Sequence, residues 1–375
     1  MYLILKVISG FYFWGHCFRL WAYRFGLFAT HKLDCRVISV GNLTLGGTGK
    51  TPVVMMIAET LRGNGYKPGI LTRGYGGNSK KEVNIVCDGK NVLLSPEVAG
   101  DEAVMMAERL KNVPILTGSD RYQTGRYAIE HFGVDTIILD DGFQHLGLKR
   151  DTNILLFDHQ RPFGNGQLFP AGELREPKKE ARRADLVCVT RYSGSNYPPG
   201  IGEQLIKDMP VVRSTLRLDS ILKLGNNEIL EVEGLRGQPV AAFCGIANPE
   251  DFRRILEQIR ARVVYYHPFP DHHKYTSTDF RAIEETARQV GAKYILTTEK
   301  DAVKFNPNSF GLPAYKVSLD MEIPEGREVF NQHVLNLKKI DLFQIPKHLS
   351  KKQRVEKLKK HLQALGLKYK PEHKS

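Results

Sequence analysis

The N-terminal segment of this 375-residue chain lacks the uncharged run of about 18 to 20 residues that would span a bilayer, because Lys6, Arg19 and Arg24 interrupt it. It also lacks the charged leading region and the small-residue cleavage site of a signal peptide. Cysteine is scarce. Cys17, Cys35, Cys87, Cys188 and Cys244 lie far apart with no C-x-x-C spacing, which excludes a disulfide framework and a cysteine zinc site and fits a reducing compartment. No internal repeat is present. The formal net charge is +13, but no recognised nucleic-acid-binding module accompanies it, so no nucleic-acid partner is expected. Much of that charge sits in residues 347–375, which hold ten Lys or Arg against Glu356 and Glu372. There Val355, Leu358, Leu362 and Leu365 recur at helical steps, as in a solvated basic helix or one that meets anionic lipid.

What the chain does contain is concentrated at residues 40–52. The apolar strand Val37-Ile38-Ser39-Val40 runs into a turn, Gly46-Gly47-Thr48-Gly49-Lys50-Thr51, and a helix is expected from Pro52 to Arg62. Strand, glycine-rich turn and helix in this order aim backbone N–H groups and a helix N-terminus at phosphate. Lys50 is placed to reach the β- and γ-phosphates of ATP, and the Thr51 hydroxyl to hold Mg²⁺. The turn departs from the usual pattern, since Thr44 stands where the first glycine is expected. Similar turns occur in membrane-recruited switch ATPases that carry an extra lysine ahead of the glycines; here Leu45 occupies that place. A second expected strand, Thr136-Ile137-Ile138-Leu139, ends in Asp140-Asp141-Gly142 and offers carboxylates to the cation.

The first residues differ in kind. Leu3, Val7, Phe11, Trp14, Phe18, Trp21 and Phe25 repeat every three or four positions, with Lys6, Ser9, His16 and Arg24 on the opposite arc. Such a helix suits a lipid interface or a place on the protein's own core. Farther along, strands near 69–72, 113–117, 154–158 and 186–190 alternate with helices at 96–110 and 122–132, as in a parallel α/β sheet. A length of 375 residues with 42% hydrophobic content can bury a sizeable core and favours two domains. The expected organisation is an amphipathic helix at 1–30, a phosphate-binding domain at 31–205, a β linker at 206–237, a smaller α/β domain at 238–340 and a basic tail at 341–375. The loop 165–177 is too long for a simple connection.

Taken in order, the 41–52 loop, Thr72-Arg73-Gly74-Tyr75-Gly76, Asp140-Asp141-Gly142-Phe143-Gln144-His145, Leu174-Arg175-Glu176-Pro177, Phe269-Pro270-Asp271-His272-His273 and Thr297-Thr298-Glu299-Lys300-Asp301-Ala302-Val303-Lys304 resemble the tetraacyldisaccharide 4'-kinase family over roughly residues 1–340. The resemblance implies a P-loop NTPase-like parallel sheet flanked by helices, with a second, smaller α/β domain joined by a short β linker. It implies transfer of the ATP γ-phosphate to the 4'-hydroxyl of a lipid A disaccharide 1-phosphate precursor, by a peripheral or monotopic enzyme at the cytoplasmic face of a Gram-negative inner membrane. It also implies roles for residues: Asp101 as base supported by His272; Gly46, Gly47, Thr48, Gly49, Lys50 and Thr51 for nucleotide; Thr51, Asp140, Asp141 and Glu176 around Mg²⁺. Arg73, Tyr75, Glu102, Arg121, Gln144 and Arg175 would line the acceptor cleft, arginine being suited to grip phosphate with two donors. Read without the resemblance, Asp101 is an acid at a helix N-terminus and His272 a turn residue. No obligate protein partner is expected.

Overall fold

The computed structural model describes residues 1–79, 81–192, 194 and 209–336. The basic tail read at 341–375 lies outside the described residues. A single 12-stranded sheet runs through the molecule in the order β10-β9-β11-β12-β8-β7-β6-β1-β5-β2-β4-β3. The first unit contributes β1 (Arg36–Asn42), β2 (Pro68–Thr72), β3 (Asn84–Asp88), β4 (Pro114–Thr117), β5 (Thr136–Asp140), β6 (Thr152–Asp158) and β7 (Leu186–Thr190). Its central strands are buried along nearly their whole length and rich in Val, Ile and Leu, as strands covered by helices on both faces must be.

Strands β1, β2, β4, β5, β6 and β7 are parallel, so their C-terminal ends share one edge. Only β3 reverses, pairing antiparallel with β4 at the sheet margin. Helix α2 (Lys50–Gly63) packs Val53, Val54, Ile57, Ala58 and Leu61 into the main core. It starts at Lys50, ahead of the expected Pro52, because proline is accommodated in a first turn whose N–H groups have no intrahelical partner. The single helix expected over 96–110 is broken into α3 (Pro96–Ala99) and α4 (Asp101–Arg109). Gly100 makes the break at φ +90°, a value open to glycine.

Beyond residue 209 the chain forms β8 (Val211–Lys223), β9 (Pro239–Cys244), β10 (Arg262–Pro268), β11 (Tyr294–Thr298) and β12 (Ala314–Glu325). The expected linker is β8, paired parallel with β7 on one side and antiparallel with β12 on the other, from Lys223↔Tyr315 to Arg213↔Glu325. The sheet therefore continues from one unit into the next. The end of β12 and helix Arg327–Val334 return to the first unit, where Met321, Ile323, Phe330 and Val334 join its main core. Arg36 donates to the last carbonyls of that helix, on His333 and Val334. In the second unit Phe243 is fully buried within a cluster of Phe269, Tyr275, Phe305 and Phe310.

The first helix, α1 (Tyr2–Arg24), docks through Ser9, Tyr12, His16 and Arg19, while Lys6 and Arg24 of the expected polar arc stay exposed. Ser9 Oγ donates to the Leu168 carbonyl and accepts from the Ala171 N–H, the Tyr12 hydroxyl donates to the Arg175 carbonyl, and Arg19 donates to the Gln144 carbonyl. The whole expected apolar stripe, Leu3, Val7, Phe11, Trp14, Phe18, Trp21 and Phe25, points away from the protein and is exposed. A continuous apolar ridge of this size is unusual on a protein that meets only water. No helix among the described residues is long and apolar enough to cross a membrane.

Truncating the centre of the second core tests whether that unit depends on its aromatic cluster. Phe243→Ala is expected to cost about 3–5 kcal/mol, seen as a lower urea midpoint in chemical denaturation.

Candidate active site

The nucleotide-loop candidates sit where β1 ends. Gly49, at φ +77°, is the residue before α2 and turns the chain so that the helix N-terminus faces the loop. Lys50 Nζ lies 3.2 Å from Asn42 Oδ1 and 3.6 Å from Asp141 Oδ1. Thr48 is buried, and its hydroxyl has no hydrogen-bond partner. The loop is braced from behind: Thr190 Oγ1 donates to the Thr48 carbonyl at 2.9 Å and Arg191 to the Gly47 carbonyl at 2.8 Å. The Asn42 amide in turn donates to the Thr44 carbonyl at 2.8 Å, so the variant residue at position 44 is part of the turn's own framework.

Parallel pairing brings Asp140 to the same edge, since Val40 of β1 is in register with it. Asp140 is buried and its Oδ1 has no partner. Burial, then the nearby Glu102 and Asp141 charges, push its carboxyl well above the usual carboxylate range. Asp141 follows at φ +53°, which turns its side chain away from the strand. Burial would raise it too, but Lys50 and Arg175 outweigh that and lower it. Arg175 Nη1 reaches both carboxylate oxygens, at 2.9 and 2.7 Å. Gln144 donates to the Asn42 carbonyl at 2.9 Å and so ties the Asp140-Asp141 turn to the strand before the loop.

These features fit a nucleotide–Mg²⁺ group. A buried acid with an empty lone pair, made costly by two other acids, is relieved by a divalent cation. Among the described residues no cluster of three His, Cys, Asp or Glu forms a preassembled cage. None is needed for Mg²⁺, which takes one or two carboxylates and fills its shell with phosphate oxygens and water.

Thr51 Oγ1 donates to Glu102 Oε2 at 3.0 Å, so the residue expected to line the acceptor cleft is the acid nearest the loop threonine. Among the described residues Glu176, expected near Mg²⁺, makes no hydrogen bond or ion pair with Thr51, Asp140 or Asp141 and pairs elsewhere. The Arg175 N–H donates to the Leu43 carbonyl in an extended stretch, where neighbouring side chains point opposite ways. Arg175 therefore turns to Asp141, and Glu176 turns under α1, paired with Arg183 and 3.9 Å from His16.

The break at Gly100 places Asp101 at the first position of α4. His272, at φ +58° in the turn after β10, comes from the second unit to put Nδ1 3.0 Å from Asp101 Oδ2. Burial works to raise the Asp101 carboxyl, yet the His272 hydrogen bond and the Lys300 and Lys304 charges bring it down to about 2. The Asp101 hydrogen bond, in turn, raises His272 above its usual 6.5. Tyr75 is exposed and its ring lies over His272 at 5.0 Å. Arg121 is buried and donates to the Gly118 carbonyl; burial, then the Arg73 charge, push it down to about 10. Arg73 itself is exposed at the exit of β2. The basic pair thus stands on the strand exits beside Asp140.

Sequence reasoning assigned no role to Lys300, Lys304 or Arg191. Lys300 Nζ bridges Glu102 at 3.1 Å and Asp271 at 2.9 Å, linking the two units. The run Glu299-Lys300-Asp301 directly after a buried strand was the available signal, because charges at a strand exit usually face a site or a partner charge.

Gly100 also supplies a test of the Asp101–His272 contact. A Cβ at that position would stand 2.4 Å from the Tyr75 carbonyl oxygen, so Gly100→Ala must shift the start of α4. The His272 imidazole, followed by NMR, is expected to titrate above 6.5 in the unaltered protein and to fall toward that value in Gly100→Ala.

Comparison with known proteins identifies the relatives of this chain. Residues 1–338 match the family described as Tetraacyldisaccharide-1-P 4'-kinase. The tetraacyldisaccharide 4'-kinase of Syntrophus aciditrophicus (strain SB) is 44% identical over 349 residues, covering 90% of this chain and 93% of that protein. The Geobacter sulfurreducens protein of the same name is 42% identical over 304 residues, covering 81% of this chain and 84% of that protein. Among solved structures, LpxK from Aquifex aeolicus, crystallised in complex with ATP, superposes with a TM-score of 0.71 at 31% identity, covering 88% of this chain and 96% of that one. By these matches over nearly its whole described length, the chain belongs to the tetraacyldisaccharide-1-P 4'-kinase family.

Proposed function

We propose that the chain phosphorylates the 4'-hydroxyl of a lipid A disaccharide 1-phosphate precursor with ATP, as its family membership and site geometry support. The observation that carries this reading is the meeting of Asp101 and His272 across the two units, one residue from the Glu102 that accepts from Thr51. A carboxylate there can accept the proton of a sugar hydroxyl while the adjoining loop holds the phosphate donor.

Lys50, with the N–H groups of the loop, would bind the β- and γ-phosphates, and the orphaned Thr48 hydroxyl is a further donor toward them. Thr51, Asp140 and Asp141 would hold Mg²⁺, which when bound neutralises charge on the phosphates. Arg73 and Arg121 would stabilise the transferring group or the acceptor's own phosphate, with Tyr75, Gln144 and Arg175 completing the acceptor side. As the sugar oxygen bonds to the γ-phosphorus, the P–O bond to ADP breaks and the hydroxyl proton passes to Asp101. His272 holds that carboxylate at the proper angle. Contact between the units keeps bulk water from competing as acceptor.

The exposed ridge of α1 supports attachment to the cytoplasmic face of the inner membrane, where an acyl-bearing acceptor resides. The helix would lie in the headgroup boundary with Trp14 and Trp21 at its level.

Two measurements test the reading. Asp101→Asn is expected to lower ATP-dependent phosphorylation of the lipid A disaccharide monophosphate by about 100- to 10,000-fold with ATP binding retained; near-normal turnover would reject the assigned base. Replacing Phe11, Trp14 and Phe18 together by Ser, all on the exposed side of α1, is expected to release the protein from anionic vesicles in a flotation assay. Unchanged flotation would reject α1 as the attachment.

A further inference from the structure

Lys304 is a largely buried cation of the site that the phosphate-handling reading does not use. Its side chain is 9% exposed, and its Nζ lies 3.3 Å from Asp101 Oδ2 and 2.9 Å from Asp301 Oδ1. We propose that Lys304 is a positioning residue for phosphoryl transfer: a fixed ammonium, carried by the second unit, that holds the Asp101 carboxylate ionised and oriented beside His272. The proposal rests on the reading of Asp101 as proton acceptor.

The anchor of this ammonium has little freedom to move. Asp301 is fully buried; its Oδ2 accepts from the Gly245 N–H at 2.9 Å and from the Thr298 hydroxyl at 2.7 Å, which leaves Oδ1 for Lys304. The Tyr275 ring lies 5.6 Å from Lys304 Nζ and covers it on a further side. Lys304 is thus held by an anion of its own unit and presented to an anion of the other.

The other groups that act on Asp101, His272 and Lys300 among them, have partners of their own as well. From its own helix, Glu102 gives Asp101 Oδ1 a backbone N–H at 2.9 Å, while the Glu102 carboxylate is taken by Thr51 and Lys300. From the turn after β10, His272 bonds Asp101, and Asp271 pairs with Lys300. From the short helix Glu299–Ala302 after β11, Lys300 faces Glu102 and Asp271, so Lys304 is the ammonium in contact with the Asp101 oxygens. An unpaired carboxylate this buried takes up a proton and loses its capacity to accept another. The cation at 3.3 Å opposes that alongside His272, and it engages Asp101 Oδ2 from the side of the second unit.

The pH dependence of kcat/KM for the lipid acceptor, measured with full-length protein in detergent micelles, tests the assignment. Lys304→Met removes the charge, and Lys304→Gln removes it while keeping N–H donors toward Asp301, so one folded variant of the two suffices. In either, the acid limb is expected to move upward by roughly 1–3 pH units, with the KM for ATP changed little. Lys304→Arg, which retains the charge, is expected to return the limb to its original position. A limb that stays in place in a folded Lys304→Gln, or an Arg variant displaced as far as Gln, overturns the proposal. Asp101→Asn separates the two readings. Normal turnover in that variant removes the base, whereas lost turnover alongside an unmoved Lys304→Gln limb removes only the role of the lysine.

Discussion

Charge buried at the seam between the two units is what the arrangement depends on. Asp101, Glu102, Asp271, Asp301 and Glu299 meet Lys300, Lys304, Arg109 and His272 there, beside the apolar contact that Met321, Ile323, Phe330 and Val334 make with the first unit's core. Pairs of this kind contribute little net stability compared with well-packed apolar residues, but removing one partner of the deeply buried set Asp101, Lys304 and Asp301 strands the others at a cost of about 3–5 kcal/mol. They act mainly as a register: the units fit together in the one arrangement that satisfies every charge. That arrangement is the one that puts the histidine on the carboxylate.

On the nucleotide side the logic is reversed. There the chain leaves charge unsatisfied, with Asp140 buried and one oxygen empty and Thr48 without a partner. The surrounding framework is fully bonded, through Asn42, Thr190 and Arg191. A rigid frame around a deliberately incomplete interior is what preorganised binding of a charged group requires, since nothing must rearrange when it arrives.

How much of this was legible in the sequence depended on burial. Strands β1, β5, β6 and β7 read clearly because burial on both faces forces continuous apolar runs. The edge strand β3, with Asn84 and Asp88 at its ends, carries no such run and went unread. The long β12 was hidden as well, because its register shifts and its partial exposure dilute any alternation. The side-chain direction of Glu176 was not legible, because it follows the backbone pairing of Arg175 with Leu43, which no pattern of residue types encodes. Asp101 and His272 were reachable only through resemblance. They are 171 positions apart, and nothing in the spacing of residues announces a contact between units.

The ribbon of β8 and β12 has a mechanical consequence. A peptide tether would let two bodies swivel, slide and separate freely, whereas a ladder of backbone hydrogen bonds leaves bending about its own axis as the soft motion. Were the two units to part, they would retrace the same arc on coming together, in the way a leaf spring returns to its stop. Alignment of the proton acceptor would be inherited from the elasticity of the backbone, without a search at every cycle.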